Sequence, residues 1–216
     1  MTTTKSEGSA RERLLAAANE LFYEEGVHTV GIDRVIEKAG VAKASLYSTF
    51  GSKEELVVAY LALRAELRQK RILQRIASYD APRAKILAVF ELLREIVSEP
   101  KFRGCAFANA CAEGPRGESK VTEISIGSRA WTRRLFADLA ESAGASNGEH
   151  LGRQLTLLYD GAVVGAGVDR DPEAATEALA IAKMLLDAQT PGAAKSTRTV
   201  KNSAKKAGAR RMPTAV

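Results

Sequence analysis

The sequence is poor in the residues that most often build catalytic and metal sites. Its 216 residues include only two cysteines, Cys105 and Cys111, and two histidines, His28 and His150. The histidines stand apart, and neither a Gly-x-Ser-x-Gly motif nor a phosphate-binding glycine loop occurs. We therefore expect that the protein is not an enzyme and that it binds neither a metal nor a cofactor. So few cysteines also agree with a reducing compartment.

Long apolar runs are missing as well. No stretch approaches the ~18 apolar residues of a membrane span, and the start, MTTTKSEGSA, lacks the apolar core of a signal peptide. These absences predict a cytoplasmic protein without a membrane partner. Strand-like alternation is also missing, whereas apolar residues recur at helical spacing along most of the chain. The expected fold is all-α, with about nine helices.

The stretch GIDRVIEKAGVAKASLYSTFGSK, residues 31–53, has the pattern of a helix-turn-helix. Its apolar residues recur at helical spacing until Gly40 ends the first run, and a second short helix, residues 43–50, follows the turn. Ser52 and Glu55 then have the spacing of a capping box for a long third helix. The second short helix has the right size for a DNA major groove. An ordinary helical hairpin with a solvated basic edge is the alternative.

The charge of this stretch favours nucleic acid. From Lys38 to Lys53 there are three lysines and no carboxylate, so we expect the exposed side to meet phosphates without repulsion. Lys53 also lies in the first turn of its helix, where free backbone N–H groups attract anions.

A set of residues spread over four successive predicted helices is more specific than this general pattern. They are Leu21, Phe22 and Gly26; Val35, Ala39, Gly40 and Val41; Leu46, Tyr47 and Phe50; and Ser52, Lys53, Glu54, Glu55 and Leu56. In this order they resemble the DNA-binding domain of the TetR/AcrR family of bacterial repressors. The resemblance implies that Tyr47 and Lys53 contact the DNA backbone or a thymine methyl, and that Lys43, Ala44 and Ser48 face bases. The residues expected at the DNA are Gly31, Ile32, Lys43, Ala44, Ser45, Tyr47, Ser48, Thr49 and Lys53.

Two positions depart from the family pattern. Gly31 stands where a Thr or Ser commonly caps the second helix, and Ala42 stands where Ser often caps the third. Gly is a tolerable cap and Ala a poor one, at a cost of roughly 0.5–2 kcal/mol. The side-chain phosphate contact usual at position 31 is therefore not expected, and the poor cap at Ala42 predicts a third helix that settles fully only on DNA.

Composition and resemblance together predict four segments. They are a disordered N-terminus, residues 1–10; the three-helix DNA-binding domain, residues 11–53; a larger helical effector-binding and dimerisation domain, residues 54–190; and a disordered basic tail, residues 191–216. Seven of the 32 basic residues and no acid lie in the tail, so the other 25 cations nearly balance the 26 acids. The tail either adds sequence-independent DNA affinity or acts as a solubilising extension.

The segment from Arg103 to Glu113 resembles a segment that, in this family, forms a short helix beside the ligand cavity. Asn109 lies on its otherwise apolar helix, so its amide needs either backbone carbonyls or a ligand as partners. Aromatic residues of neighbouring helices line a pocket or simply fill the core. The residues predicted to bind a small-molecule effector are Phe90, Cys105, Phe107, Asn109, Trp131 and Tyr159.

The last two predicted helices are richly apolar and contain several small residues. In this family two such helices pair with their twofold mates as a four-helix bundle. The alternative is that they cap the core of a single chain. The residues predicted at the homodimer interface are Leu151, Leu155, Leu158, Ala162, Leu179 and Leu186.

These features predict a transcriptional repressor that binds a palindromic double-stranded DNA operator and leaves it when an effector binds. An architectural DNA-coating protein dominated by its basic tail is one alternative. A thiol-based redox sensor is another, although Cys105 and Cys111 are six residues apart and would lie about 240° apart around a helix. Inert thiols are the simpler expectation for this pair.

Overall fold

The computed structural model describes residues 8–114 and 119–190, and these two ranges contain nine helices and no strand. The helices are α1 (Ala10–Glu25), α2 (Ile32–Ala39), α3 (Lys43–Phe50), α4 (Lys53–Ile76), α5 (Pro82–Val97), α6 (Ala106–Glu113), α7 (Lys120–Ser142), α8 (Gly148–Asp169) and α9 (Glu173–Gln189). The all-α prediction is confirmed. None of the helices in the described ranges is both long and apolar enough to cross a membrane. The basic tail predicted from residue 191 lies outside the described residues.

Side-chain caps set the start of the two helices that frame the helix-turn-helix. The Ser9 hydroxyl accepts from the backbone N–H of Glu12, and the Glu12 carboxylate accepts in return from the backbone N–H of Ser9, which is a complete capping box. Residues 9 and 10 thus belong to the capped start of α1, which corrects the disordered segment predicted through residue 10. Ser52 caps α4 through the backbone N–H of Glu55. The carboxylate of Glu55 bonds Lys120 instead of completing the box.

The short helix α6 covers less than the segment from Arg103 to Glu113 that the resemblance assigns to it, because it begins only at Ala106. The backbone φ of 80° at Gly104 is the reason, because it lies outside the helical region that residues before α6 would need.

Two hydrophobic cores share the long helix α4. Leu56, Tyr60 and Leu61 pack in the first core with α1, α2 and α3, whereas Ile72 and Ile76 pack in the second with α5 and α7 to α9. We call the first unit the head (α1 to α3 and α4 up to Leu61) and the rest the body. Because α4 contributes residues to both cores, it links the head to the body.

The short helix α6 connects these units in a way that the sequence order hides. Its buried residues Ala106, Phe107 and Ala110 pack in the core of the head, although α6 follows α5 of the body in the chain. The head is therefore supported from the side by a body segment.

Candidate nucleic-acid interface and effector cavity

The helix α3 is anchored by one residue and presents most of its surface to solvent. Leu46 is fully buried, and it is the only buried residue of α3. Its neighbour Tyr47 is 47% exposed. Lys43, Ala44 and Ser48 are exposed too, while Ser45 and Thr49 are half-buried. A helix held in this way can enter a groove without first leaving a core.

The turn before α3 is held from behind by α1. Gly40 adopts a left-handed conformation with φ of 61°, as a glycine that ends a helix commonly does. The Arg13 guanidinium donates to the carbonyl of Gly40 at 3.4 Å. Lys38 pairs with Glu20 at 2.9 Å, and this bond lowers the pKa of the Glu20 carboxyl. Exposed pairs of this kind stabilise little, and these two contacts join α1 to the end of α2.

Two of the three lysines between Lys38 and Lys53 meet carboxylates from outside that range. Lys43 donates to Asp33 of α2 at 2.9 Å, and this bond raises the pKa of the Lys43 ammonium group. Lys38 has the partner on α1 already described. The absence of carboxylates between Lys38 and Lys53 therefore does not leave these two lysines without acidic neighbours. Lys53 is half-buried, and this burial lowers the pKa of its ammonium group, whereas the charge of Glu113 acts in the opposite direction.

The starts of α2 and α3 lie side by side, since the Lys43–Asp33 bond joins their first turns. Gly31 and Ala42 provide no side-chain cap at either start, as the sequence predicts. Backbone N–H groups at both starts are thus left for an external acceptor, which is the arrangement that binds phosphates at helix N-termini. Ile32 is half-buried against the core of the head, so only part of its side chain reaches the surface.

A cavity of about 990 Å³ lies where the head meets the body. Its walls come from α1, the middle of α4, α5 to α8 and the loop before α6. Three residues predicted to bind a ligand, Cys105, Phe107 and Tyr159, line this cavity. Burial raises the pKa of the Tyr159 phenol, so it stays protonated near neutral pH and can donate a hydrogen bond. The volume is that of a site for a small organic molecule.

The other three predicted ligand residues do not line this cavity. Phe90 is fully buried in the body core, where its ring stacks on Phe136 with 5.6 Å between ring centroids. Trp131 packs against the same core. The amide of Asn109 donates to the carbonyl of Arg103 at 2.9 Å, so it meets the backbone partner that was the alternative to a ligand.

Most of the cavity wall could not be predicted from the sequence, and three of the missed residues have polar or charged ends. Tyr23 of α1 and Arg64 and Arg68 of α4 all line it. The two arginines are one helical turn apart and stand beside leucines, a pattern that is visible in the sequence. Only the fold brings Tyr23 to them.

Tyr23 also ties the head to the body. Its hydroxyl donates to the carbonyl of Gly104 at 3.1 Å and accepts from the backbone N–H of Arg103 at 3.0 Å. Nearby, the backbone N–H of His28 donates to Glu113 of α6 at 2.8 Å. The cavity is therefore bordered by the contacts that fix the head on the body.

Comparisons with known proteins agree with this architecture. Residues 14–60 match the family described as bacterial regulatory proteins, tetR family. The crystal structure of SCO4454, a TetR-family transcriptional regulator from Streptomyces coelicolor, is 35% identical with a TM-score of 0.79, over 84% of this chain and 96% of that one. The structure of the regulator sav143 from Streptomyces avermitilis is 34% identical with a TM-score of 0.76, over 84% and 98% of the two chains. The chain belongs to the TetR family.

Membership confirms the resemblance and makes this TetR-family protein a DNA-binding transcriptional regulator rather than an enzyme. Regulators of this family bind DNA and act as dimers. A curated relative, the HTH-type transcriptional activator FasR of Mycolicibacterium smegmatis, is 26% identical over 135 residues, which is 62% of this chain and 60% of FasR. The chain thus spans less than two thirds of the length of that relative.

The residues predicted at the dimer interface of this TetR-family regulator lie in or against the core of their own chain. Leu151, Leu155, Leu179 and Leu186, with Ala162, are buried in the core of their own chain, and Leu158 packs against that core. A partner chain cannot reach side chains that are already covered. The same two helices expose other apolar residues on their outer side, namely Leu157, Val164 and Val168 of α8 and Ile181 and Met184 of α9.

Within residues 8–114 and 119–190, no group of three or more His, Cys, Asp or Glu side chains could hold a metal ion. Both cysteines are free thiols, Cys105 partly buried and Cys111 exposed. The thiol-based sensor stays a prediction for this regulator.

Proposed function

We propose that this TetR-family regulator is a repressor that binds a palindromic operator as a homodimer and leaves it when a small-molecule effector binds in the cavity. The observation that carries the proposal is the position of the cavity. Its walls include α1 of the head and the middle of α4, the helix that belongs to both cores. A ligand there touches the elements that set the angle of the head.

The exposed face of α3 and the uncapped start of α2 are the proposed DNA-binding surface. In this proposal Tyr47 and the N–H groups after Gly31 and Ala42 meet the DNA backbone, while Ala44 and Ser48 face bases. The Ser48 hydroxyl donates to the carbonyl of Ser45 at 3.2 Å, which leaves its lone pairs as acceptors.

The exposed apolar residues of α8 and α9 are the proposed dimer interface. Leu157, Val164 and Val168 recur at helical spacing along one side of α8, and Gly161 between them is exposed and allows close approach. Contiguous exposed apolar surface of this kind marks an interaction site. Two copies joined there would present two α3 helices to one duplex.

The coupling requires that the effector bind the DNA-free arrangement more tightly than the DNA-bound one, since a ligand shifts an equilibrium only by its differential affinity. We call the contacts of Tyr23 with Gly104 and Arg103 the joint between the head and the body. The DNA-free and DNA-bound arrangements would differ at this joint. An effector that displaces α4 against α1 would change the distance between the two heads of the dimer.

Selection of bound sequences from a random duplex library tests the proposal. We expect a twofold-symmetric site with half-site centres about one helical turn (~34–36 Å) or a multiple apart. In vitro transcription from a promoter overlapping that site should fall when the protein is added. An asymmetric site would contradict the palindromic operator. Transcription that rises when the protein is added would contradict the repressor role.

A further inference from the structure

The charges around the cavity are unevenly compensated. Every carboxylate on its wall has a cationic partner: Glu20 with Lys38, Glu24 with Lys101, Glu99 with Arg71, and Asp160 with Arg129. Arg64 and Arg68, both on the α4 wall, have no carboxylate partner among the described residues. The cavity wall therefore carries an excess of positive charge at one place.

Neutral groups hold these two guanidinium groups. Arg64 lies over the ring of Tyr23, 3.8 Å from its centroid, and Arg68 lies 5.1 Å from the ring centroid of Phe107. One terminal nitrogen of Arg68 also donates to the carbonyl and hydroxyl of Ser128, each at 2.8 Å, and to the hydroxyl of Thr132 at 3.2 Å. Aromatic faces and hydroxyls position a guanidinium without neutralising it.

Arg64 and Arg68 are both half-buried, so each keeps only part of its hydration and can gain a charge-assisted bond from an anion. Arg64 and Arg68 are four residues apart on one helix and so lie on the same face, one turn from each other. Guanidinium groups bind carboxylates through paired, charge-assisted hydrogen bonds that Lys cannot reproduce. Two such groups, one turn apart on the α4 wall, therefore provide donors for a carboxylate.

The remainder of the wall is mostly apolar. Leu63 and Leu67 flank the arginines on α4, Leu93 and Ile96 come from α5, and Val163 comes from α8. Such a surface stabilises an aliphatic or aromatic body by removing it from water. The ligand that fits both parts of the wall has a charged end and an apolar end.

We infer that the effector is an amphipathic carboxylate, with its carboxylate on Arg64 and Arg68 and its apolar body among the leucines of α4 and α5. The inference rests on the proposed effector role of the cavity and names the chemical class of its ligand. It also places the anion beside Tyr23, the residue that ties the head to the body, so that binding acts directly at that joint.

Isothermal titration calorimetry with decanoate, 1-decanol and decylamine, each below its micellar concentration, tests the class of ligand. The three probes share one chain and differ in charge. We expect decanoate to bind at least about tenfold more tightly than 1-decanol, and decylamine to bind most weakly. Equal affinities for decanoate and 1-decanol, tighter binding of decylamine, or no decanoate binding below about 1 mM would overturn the inference.

Two variants locate the carboxylate. Arg64→Gln and Arg68→Gln should each weaken decanoate binding about tenfold and leave 1-decanol binding unchanged. Arg134→Gln, which removes an exposed arginine of α7 that does not line the cavity, should change neither affinity. Circular dichroism melts show whether each variant is folded. If Arg68→Gln does not fold, the decanoate affinity of Arg64→Gln alone tests the inference. Unchanged decanoate affinity in the folded variants overturns the inference.

Anisotropy of the labelled operator separates this inference from the proposed function. Decanoate that binds through the arginines without releasing the operator supports the ligand class and contradicts effector-triggered release. Release by 1-decanol or decylamine but not by decanoate supports the regulatory role and overturns the ligand class.

Discussion

At the residue scale, Leu46 and Tyr47 are neighbours in the chain with opposite surroundings. Leu46 is fully buried beneath α3, whereas Tyr47 is 47% exposed on its outer side. The first therefore contributes to the stability of the head and the second is free to contact a partner. Substitution of each by alanine separates folding from DNA binding.

We expect Leu46→Ala to lower the free energy of unfolding by about 2–5 kcal/mol, because it leaves a cavity in the core of the head. Tyr47→Ala should change it by less than about 0.5 kcal/mol and weaken operator binding about tenfold. Urea denaturation and fluorescence anisotropy measure the two quantities. Undiminished operator binding by Tyr47→Ala would contradict the assignment of α3 as the reading helix.

Asp33 is the carboxylate that the phosphates would meet at the start of α2. Asp33→Asn should tighten operator binding severalfold at low salt, because it removes a negative charge and frees Lys43 for the DNA. Asp138→Asn removes an exposed acid of α7 and serves as the control. Weaker binding by Asp33→Asn would instead show that the Lys43–Asp33 bond positions the lysine for its contact.

At the scale of elements, the head and the body are joined through Tyr23, α4 and α6. Tyr23→Phe keeps the ring under Arg64 and removes the hydroxyl that bonds Gly104 and Arg103. We expect a loss of about 1–3 kcal/mol in the free energy of unfolding, because two backbone groups lose their partner. We also expect a weaker release of the operator by effector.

Tyr79→Phe is the matched control, since the Tyr79 hydroxyl bonds no described residue. It should leave both the stability and the release unchanged. If Tyr23→Phe responds to effector as the unaltered protein does, the joint around Tyr23 does not carry the coupling.

Local signals in the sequence were sufficient to predict most of the helices. Gly40 ends α2 in the left-handed conformation that glycine favours, Pro82 begins α5, and Ser52 caps α4. Each of these signals acts within a few residues, so the helices and the helix-turn-helix could be predicted. The uncapped starts at Gly31 and Ala42 could be predicted for the same reason.

Contacts between distant residues could not be predicted in this way. Lys43 and Asp33 lie in different helices, and no local pattern shows that they pair. The core side of α8 could not be told from its outer side, because that helix is apolar on both sides. Leu155 is buried and Leu157 is 69% exposed, yet their side chains are identical. Only the packing of α8 on α5, α7 and α9 separates them.

At the scale of the whole molecule, the outer face of α8 and α9 decides whether two heads act together. Leu157→Glu should give a monomer at micromolar concentration in analytical ultracentrifugation, because a carboxylate cannot be buried unpaired in an apolar interface. The affinity of Leu157→Glu for the operator should fall as well, because a monomer presents only one α3 helix. If Leu157→Glu is still a dimer, the dimer interface does not lie on this face of α8 and α9.

Two controls accompany this experiment. Leu73→Glu alters a similarly exposed leucine on α4 and should remain dimeric. Leu155→Ala should lower the free energy of unfolding by about 2–5 kcal/mol without dissociating the dimer, since Leu155 lies in the core of its own chain.

In the proposed function, a symmetric pair of α3 helices reads the major groove of one duplex. Protection of guanine N7 from dimethyl sulfate measures this directly, because that atom lies in the major groove. We expect two protected clusters of guanines, related by twofold symmetry and about one helical turn or a multiple apart. Tyr47→Ala should weaken the protection of both clusters. Protection spread evenly along the DNA, or confined to one half-site, would contradict the proposed function.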